Sequence, residues 1–241
     1  NKAPIAAKNS ELDQQKTLKP STSTATNKSL EDAVKSPTPN ATSNVMVKEV
    51  SAQQRAEGEY RQATVYQQQG RVNEAIQVLD NALKSDPMHN AARQLKISLL
   101  LEAKRHDDAI RELKLGLVKE PGQLNFSMIL ARLLVERAKL NEAIEVLQKN
   151  QGLAQDRADY LAFLAALQQK TGHHKDAIQL YRQALKKHSQ NGVWWMGLGI
   201  SLQADGASQD AIEAYKQAKL QSGLSSELQA FVDQKIGQLQ K

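Results

Sequence analysis

A short pattern that returns every 34 residues constrains the fold of this chain more than any other feature. The core Glu/Asp-Ala-Ile occurs five times, and its alanines are separated by 34 residues each time. A fixed period of this length indicates a stacked array, because each unit must bury its apolar face against its neighbours. The five alanines are Ala75, Ala109, Ala143, Ala177 and Ala211.

Apolar residues recur every three or four positions within each unit. The stretch "GRVNEAIQVL" begins at Gly70, and Gly172 and Gly206 begin the equivalent stretches "GHHKDAIQLY" and "GASQDAIEAY". This spacing predicts amphipathic α-helices, and a glycine at this point is typical of the left-handed residue that ends a helix. We therefore predict an all-α fold of helix–turn–helix units, with the recurring alanine where the two helices cross.

The first fifty residues have a different composition. Residues 1–50 contain four of the six prolines and no aromatic residue, and they are rich in Ser, Thr, Asn and Lys. Such a segment buries too little apolar surface to offset the entropy lost on ordering. We predict a disordered linker over residues 1–50.

The units resemble the tetratricopeptide repeat (TPR) family. With the recurring alanine at position 20, the family pattern asks for small residues at positions 8 and 27 and large ones at 4, 11 and 24. The fifth unit meets every condition with Trp195, Gly199, Leu202, Tyr215 and Ala218. Two helices cross closely only where such small side chains lie between them, and the large residues fill the space between neighbouring helices.

The resemblance implies a TPR α-solenoid of about five repeats within residues 51–225. The last stretch, "SSELQAFVDQKIGQLQK", predicts a final helix that caps the array over residues 226–241, because a terminal repeat needs a polar outer face. The repeats cover residues 56–89, 90–123, 124–157, 158–191 and 192–225.

Two departures from the pattern predict local irregularities. Lys104 and Ala138 replace the turn glycine in the second and third repeats, so we expect strained or differently shaped turns there. In the third repeat Asn150 replaces the small residue of position 27, and the following "KNQGLAQD" lacks the usual proline. The second helix of this repeat is therefore predicted to end early, near Asn150.

The family resemblance also implies a concave groove, lined by the first helix of each repeat, that holds an extended peptide or a helix. Positions 2, 5, 9, 12 and 13 face this groove in the family, and Trp194 is expected to be exposed beside them. The candidate groove residues are Tyr60, Thr64, Gln94, Ser98, Leu101, Met128, Arg132, Val135, Trp194, Met196 and Ile200.

The middle of this groove admits two interpretations. Met128 and Arg132 predict an adaptable anchor pocket, since methionine packs against varied shapes and arginine is frequent at binding hot spots. Alternatively, Met128 and Leu101 are simply packed between repeats. The TPR subclass that clamps a C-terminal carboxylate has Lys and Asn where this chain has Tyr60 and Thr64, so that subclass is excluded.

The histidine pair in "TGHHKDAIQLY" is the strongest candidate for a chemical site. His173 and His174 occupy turn positions that hold unrelated residues in the other repeats, and Asp176 belongs to the recurring Glu/Asp-Ala-Ile core. The chain has no cysteine, no glycine-rich phosphate loop and no G-x-S-x-G or H-E-x-x-H motif. We therefore expect no catalytic residue, no metal site and no cofactor.

The charge distribution argues against nucleic acid. The net charge of +6 is spread thinly, and no basic block is interleaved with aromatic residues. No run of about 18 apolar residues occurs, so this segment itself is not expected to contact a membrane. The partners expected are proteins.

A narrower resemblance covers the whole chain. The linker, "YRQATVYQQQGRVNEAIQVLDNALKSDP" and "NGVWWMGLGISLQADGASQDAIEAYKQA" resemble the C-terminal part of the protein N family of MSHA (mannose-sensitive haemagglutinin) type IV pilus biogenesis. The resemblance implies a periplasmic domain attached to the inner membrane by an anchor upstream of this chain. It also implies a scaffold that binds other pilus assembly components.

Two other functions stay open at this point. The domain is compatible with a generic TPR adaptor of another secretion or envelope complex. It is also compatible with a regulatory TPR module of a larger enzyme whose catalytic part lies outside this chain. The upstream sequence distinguishes them, because one apolar span supports the pilus function and a catalytic domain excludes it.

Overall fold

The computed structural model describes residues 50–241, which form a succession of α-helices with one 3₁₀ turn and no β-strand. The linker predicted for residues 1–50 lies outside the described residues, apart from Val50. The helices are Ala52–Gln68 (α1), Val72–Ser85 (α2), Asn90–Glu102 (α3), His106–Lys119 (α4), Leu124–Glu136 (α5), Leu140–Gln148 (α6), Ala158–Lys170 (α7), His174–Lys187 (α8), Gly192–Ala204 (α9), Ser208–Leu220 (α10) and Ser226–Leu239 (α11).

The helices pack in chain order. Each helix contacts the one before it and the one after it, so α1 packs on α2, α2 on α3, and so on to α10 and α11. Odd-numbered helices from α1 to α9 are the first helices of the repeats, and even-numbered helices from α2 to α10 are the second helices. This arrangement confirms the predicted all-α repeat fold with a final capping helix.

The recurring alanine lies where the two helices of each repeat cross. Ala75, Ala109, Ala143, Ala177 and Ala211 are all fully buried. In the fifth repeat Gly199 of α9 faces the ring of Tyr215 in α10, and a Cβ atom on Gly199 would lie 2.7 Å from that ring. Close approach of the helices therefore depends on small side chains at the crossing.

All five turns between the helices of a repeat adopt one conformation. In the first repeat the Arg71 amide donates to the Tyr66 carbonyl and the Gly70 amide donates to the Gln67 carbonyl, which is a Schellman motif. Gly70, Gly172 and Gly206 have φ values of 71°, 82° and 85°.

The second and third repeats form the same turn without glycine. Lys104 has a φ of 56° and Ala138 a φ of 58°, and their amides donate to the Leu101 and Val135 carbonyls. The sequence left strained turns and differently shaped turns as alternatives, and the structure shows that the shape of these turns is unchanged. They are strained instead, because a Cβ atom in the left-handed region lies close to the carbonyl oxygen.

Glycine at either of these turns should stabilise the protein. We expect Lys104→Gly and Ala138→Gly each to raise the free energy of unfolding by about 1 kcal/mol, because the strain of a left-handed Cβ is relieved. Urea unfolding followed by circular dichroism measures the change. Gly70→Ala is the matched control and should lower stability by about the same amount. A loss of stability in both glycine variants would contradict the prediction.

The third repeat is irregular at Asn150, as predicted. Helix α6 ends at Gln148, and a 3₁₀ turn over Gln151–Ala154 follows it. The Asn150 amide Nδ2 donates to the Pro121 carbonyl at 2.6 Å and to Ser127 Oγ at 2.9 Å. A polar pair therefore occupies positions 4 and 27, where the family pattern has a large and a small apolar residue.

The second repeat has a buried charge cluster at the same place. Arg93 fills position 4, and its guanidinium donates to Glu112 and to the Pro87 carbonyl, the latter at 2.7 Å. Lys96 also contacts Glu112, and its ammonium lies 2.6 Å from the Asp80 carboxylate of the first repeat. The side chains of Arg93 and Glu112 are each only 6% exposed. The cluster joins the first repeat to the second.

Helix α11 closes the C-terminal end. Its N-cap is Ser225, whose hydroxyl accepts a hydrogen bond from the Leu228 amide. Val232 is fully buried against the array, while Phe231, Ile236 and Leu239 of the same face are half-buried. Its other face is exposed, which suits the last helix of an open array.

Candidate protein-binding surface

The predicted groove residues lie on the first helices α1, α3, α5 and α9. Positions 2, 5, 9 and 12 of one helix share a face because they are separated by three or four residues. We call this surface the first-helix face and define it by the candidate residues named above. Gln94, Ser98 and Arg132 are exposed on it, and Tyr60, Thr64, Leu101, Val135, Trp194, Met196 and Ile200 are half-buried.

Met128 is the exception among these residues. It is only 5% exposed and belongs to the hydrophobic core, which is the alternative that the sequence left open for it. A buried side chain does not contact a partner without rearrangement of the helix. The expected anchor pocket around Met128 is therefore corrected to a packing contact, while Leu101 remains half-buried at the edge of the core.

Arg132 joins two neighbouring first helices. Its guanidinium carbon lies 5.8 Å from the ring centroid of Phe163 in α7, within the range of a cation–π contact. The Arg132 side chain is exposed, and Phe163 is half-buried. The two residues thus present a positive charge next to an aromatic ring on the first-helix face. Phe163 was not predicted, because its position 6 is not a groove position in the family.

Tyr60 is held at the start of the first-helix face by His89. The ring centroids are 5.2 Å apart, and His89 Nε2 lies 3.3 Å from a Glu57 carboxylate oxygen. Since His89 Nδ1 accepts a hydrogen bond from the Ala92 amide, the proton resides on Nε2, which donates to Glu57. The pKa of the Glu57 carboxyl is lowered, first by its hydrogen bond from Arg61 and then by His89.

Buried tyrosines position two glutamines at the edge of the first-helix face. Tyr181 donates to Gln169 at 3.0 Å and Tyr215 donates to Gln203 at 2.9 Å, so the same contact links positions 24 and 12 in successive repeats. Burial raises the pKa of both tyrosine hydroxyls to about 12, so they remain donors at neutral pH. The Oε1 atoms of Gln169 and Gln203 are thereby engaged by the tyrosine hydroxyls.

A cleft of about 1090 Å³ opens beside Trp194, between the loops that begin and end the fourth and fifth repeats. Trp194 lies edge-on to His188, with ring centroids 6.2 Å apart. The cleft is also lined by two ion pairs, between Lys187 and Asp156 at 2.5 Å and between Arg157 and Asp159 at 2.9 Å. An aromatic side chain within a polar rim is suited to contact with a protein partner.

The other tryptophan has a different environment. Trp195 fills position 4, as predicted, and its indole Nε1 donates to the Ser189 carbonyl at 2.7 Å. Both tryptophans are half-buried. Trp194 is therefore less exposed than the sequence suggested, although it lines the cleft.

The histidine pair forms no cluster with other ligands. His173 Nδ1 contacts the Thr171 hydroxyl at 2.9 Å, and Asp176 is exposed. Within residues 50–241, no group of three or more His, Asp or Glu side chains is placed to hold a metal ion. In the same range, no helix has both the length and the apolar character needed to cross a membrane.

The stacked helix pairs and the first-helix face define a helical-repeat protein of the kind that binds other proteins. A tetratricopeptide repeat model matches residues 60–123 and 160–224, just over half of the chain. The chain belongs to the tetratricopeptide repeat family, whose members are protein-interaction scaffolds.

Solved structures with a similar fold include MamA and YrrB. A crystal structure of MamA has a TM-score of 0.58 at 20% sequence identity, covering 70% of this chain and 97% of MamA. YrrB, described as a TPR protein with an unusual peptide-binding site, has a TM-score of 0.58 at 14% identity, covering 68% of this chain and 84% of YrrB. At these identities the likeness shows the fold alone. No curated protein sequence matches the chain.

Proposed function

We propose that this chain is a non-catalytic scaffold that assembles other proteins of a type IV pilus machine of the MSHA kind. It acts in the periplasm and is attached to the inner membrane through a segment upstream of Asn1. The sequence resemblance to the MSHA protein N family supports the pilus role and the location. The TPR fold supports a scaffold, since TPR proteins bind protein partners.

The contact between Arg132 and Phe163 is the observation that carries the binding role. It places an exposed cation and an aromatic ring on two adjacent first helices, α5 and α7. Arginine and aromatic residues, phenylalanine among them, are enriched in the cores of protein interfaces. The exposed Gln94 and Ser98 continue the first-helix face on α3 and can hydrogen-bond to a bound backbone.

A peptide partner fits this surface better than a small molecule. The first-helix face extends over several helices, and its half-buried apolar residues alternate with polar ones. YrrB, which has the same fold, is described as having a peptide-binding site. An acidic or carboxylate-bearing partner segment would pair with Arg132.

Photo-crosslinking in cell envelopes tests this function. A photoreactive residue at Arg132 or Trp194 is expected to trap a defined pilus assembly component, at least roughly tenfold above the yield from Gln77, an exposed residue of α2. An Arg132→Glu substitution, probed from Trp194, should lower that yield. Equal yields from Gln77 would contradict the proposal, and trapped components of another secretion complex would support the adaptor alternative instead.

A further inference from the structure

The cleft beside Trp194 lies at a repeat junction whose side chains differ from those of the other junctions. His188 occupies position 31 of the fourth repeat, and Trp194 occupies position 3 of the fifth repeat. At the three other junctions the position-3 residue is buried, whereas Trp194 is half-buried and His188 is exposed. A surface pair of aromatic rings is therefore not an unavoidable product of this repeat. The equivalent pairs at the other junctions are Asp86 and Ala92, Glu120 and Phe126, and Ala154 and Tyr160.

The rings of His188 and Trp194 form an apolar corner. Their planes meet at 76°, and their centroids are 6.2 Å apart. Val193 lines the same cleft and is 39% exposed. Unlike Met128, these side chains reach solvent, so a ligand contacts them without any rearrangement of the helices.

The charged side chains of the cleft leave no excess of one sign. Apart from His188, they are Lys187, Asp156, Arg157 and Asp159, and they form the two ion pairs described above. Each carboxylate is thus already paired with a cation of the same cleft. Selection of a charged partner needs an unpaired charge of the opposite sign. The cleft is therefore suited to an uncharged ligand.

Three hydrogen-bond donors of the cleft have no acceptor in the described part of the chain. They are the indole Nε1 of Trp194, the side-chain amide of Gln190 and the backbone N–H of Val193. The Trp194 indole reaches solvent and acts only as a donor. The Val193 N–H is one of the unpaired amides in the first turn of α9. By contrast, the indole Nε1 of Trp195 donates to the Ser189 carbonyl at 2.7 Å.

We infer that this cleft binds a proline-rich segment of a partner protein in the polyproline II conformation. Proline has no backbone N–H, and the polyproline II helix has no internal hydrogen bonds, so such a segment presents carbonyl acceptors without matching donors. The free donors of the cleft pair with these carbonyls. A pyrrolidine ring packs in the corner between His188 and Trp194, as proline-rich segments do in other aromatic-lined grooves.

Other peptide conformations suit the cleft less well. A β-strand ligand needs donors and acceptors in alternation, and the carboxylate acceptors of this cleft are already held by Lys187 and Arg157. An α-helix has its carbonyls bonded within itself along its length, so it leaves the three donors unpaired. A polyproline II segment is ordered before it binds and loses little conformational entropy.

This inference rests on the proposed scaffold role, because it adds a binding site for a protein partner. It does not depend on the pilus role. The cleft lies at the junction of the fourth and fifth repeats, whereas Arg132 lies on α5 in the third repeat. The two sites can therefore be tested separately.

Titration of the whole chain with blocked decaproline, an uncharged polyproline II peptide, tests the inference. In the ¹H–¹⁵N NMR spectrum, the indole N–H signal of Trp194 is expected to move as it gains an acceptor, while that of Trp195 stays in place. Trp194→Phe keeps a ring and loses the N–H, so it identifies the signal and should bind at least roughly fivefold more weakly, followed at the Val193 amide. His188→Ala should weaken binding by at least about fivefold, because the corner loses one wall.

The matched control is His173→Ala, which changes another exposed histidine in the turn between α7 and α8. It should bind decaproline like the natural chain. A blocked glycine–serine peptide of the same length is uncharged but flexible and should not bind. Raising the salt concentration from about 0.05 M to about 0.5 M should change the affinity less than about twofold, since no charge pairing is involved.

Four results would overturn the inference. They are an unmoved Trp194 signal, equal binding by His188→Ala and the natural chain, equal binding of the glycine–serine peptide, and loss of binding at high salt. Each concerns the cleft alone. Crosslinking from Arg132 reports on the proposed function independently, so failure of one is distinguishable from failure of the other.

Discussion

Replacing Glu112 by alanine is expected to lower the free energy of unfolding by about 3–5 kcal/mol. Glu112 accepts from both Arg93 and Lys96, and the Arg93 side chain is only 6% exposed. Without Glu112, the Arg93 guanidinium keeps its hydrogen bond to the Pro87 carbonyl but loses its only carboxylate partner among the described residues. A buried charge without a counter-charge is much more costly than a lost surface contact. Urea unfolding followed by circular dichroism measures the effect.

An exposed ion pair serves as the matched control. Glu57 pairs with Arg61 at 2.8 Å, and the two side chains are 44% and 76% exposed. Glu57→Ala should change stability far less than Glu112→Ala, because solvent screens an exposed pair. Replacing Arg93 and Glu112 together by leucine should recover most of the loss, since an apolar pair leaves no buried charge. A change below about 1 kcal/mol in Glu112→Ala would contradict the prediction.

Glu112→Ala should also make the first repeat unfold more readily. Lys96 connects Glu112 with Asp80, which belongs to the second helix of the first repeat. In a repeat array, the free energy of unfolding is approximately the sum of the stability of each repeat and the contribution of each interface between neighbours. A weaker interface therefore lets a terminal repeat unfold without the others. Amide hydrogen exchange should accelerate in α1 and α2 more than in α9 and α10.

Gly199→Ala is expected to destabilise the protein by about 1–3 kcal/mol, although alanine is the better helix former. The added Cβ would lie 2.7 Å from two ring carbons of Tyr215. This ring is fully buried, and its hydroxyl donates to Gln203, so it has little room to move. Thermal and urea unfolding both report the loss.

Gly58→Ala makes the same chemical change with the opposite expected sign. Gly58 also lies inside a helix, but no neighbouring atom comes within 4 Å of its added Cβ. Helix propensity then acts alone, and stability should rise by about 1 kcal/mol. If both variants shift stability in the same direction, the close contact at Gly199 is not what determines the effect.

Much of the fold could be predicted because its determinants are local and repeated. The 34-residue period, the alanine at each helix crossing and the glycine in three of the turns report contacts within one repeat, so they appear directly in the chain. The early end of α6 near Asn150 was predicted for the same reason. The residues of the first-helix face were predicted from the resemblance to the TPR family, whose groove positions they occupy.

What the sequence did not reveal concerns the packing of helices against one another. Met128 had the position of a groove residue, but packing against adjacent helices buries it. Phe163 was overlooked because its approach to Arg132 depends on how α5 and α7 lie beside each other. Lys104 and Ala138 adopt the glycine conformation because helix packing on both sides fixes the turn, which a local preference does not reveal.

The amino-acid order alone determined the helical repeats, their length and the small residues at the crossings, because these depend on interactions within about 34 residues. Only the tertiary structure decided which charged residues of neighbouring repeats pair, as with Lys96 and Asp80, and which predicted groove residue is packed into the core, as with Met128. The reason is that burial, charge pairing and groove shape depend on the distance between side chains of different repeats, which the spacing along the chain does not specify.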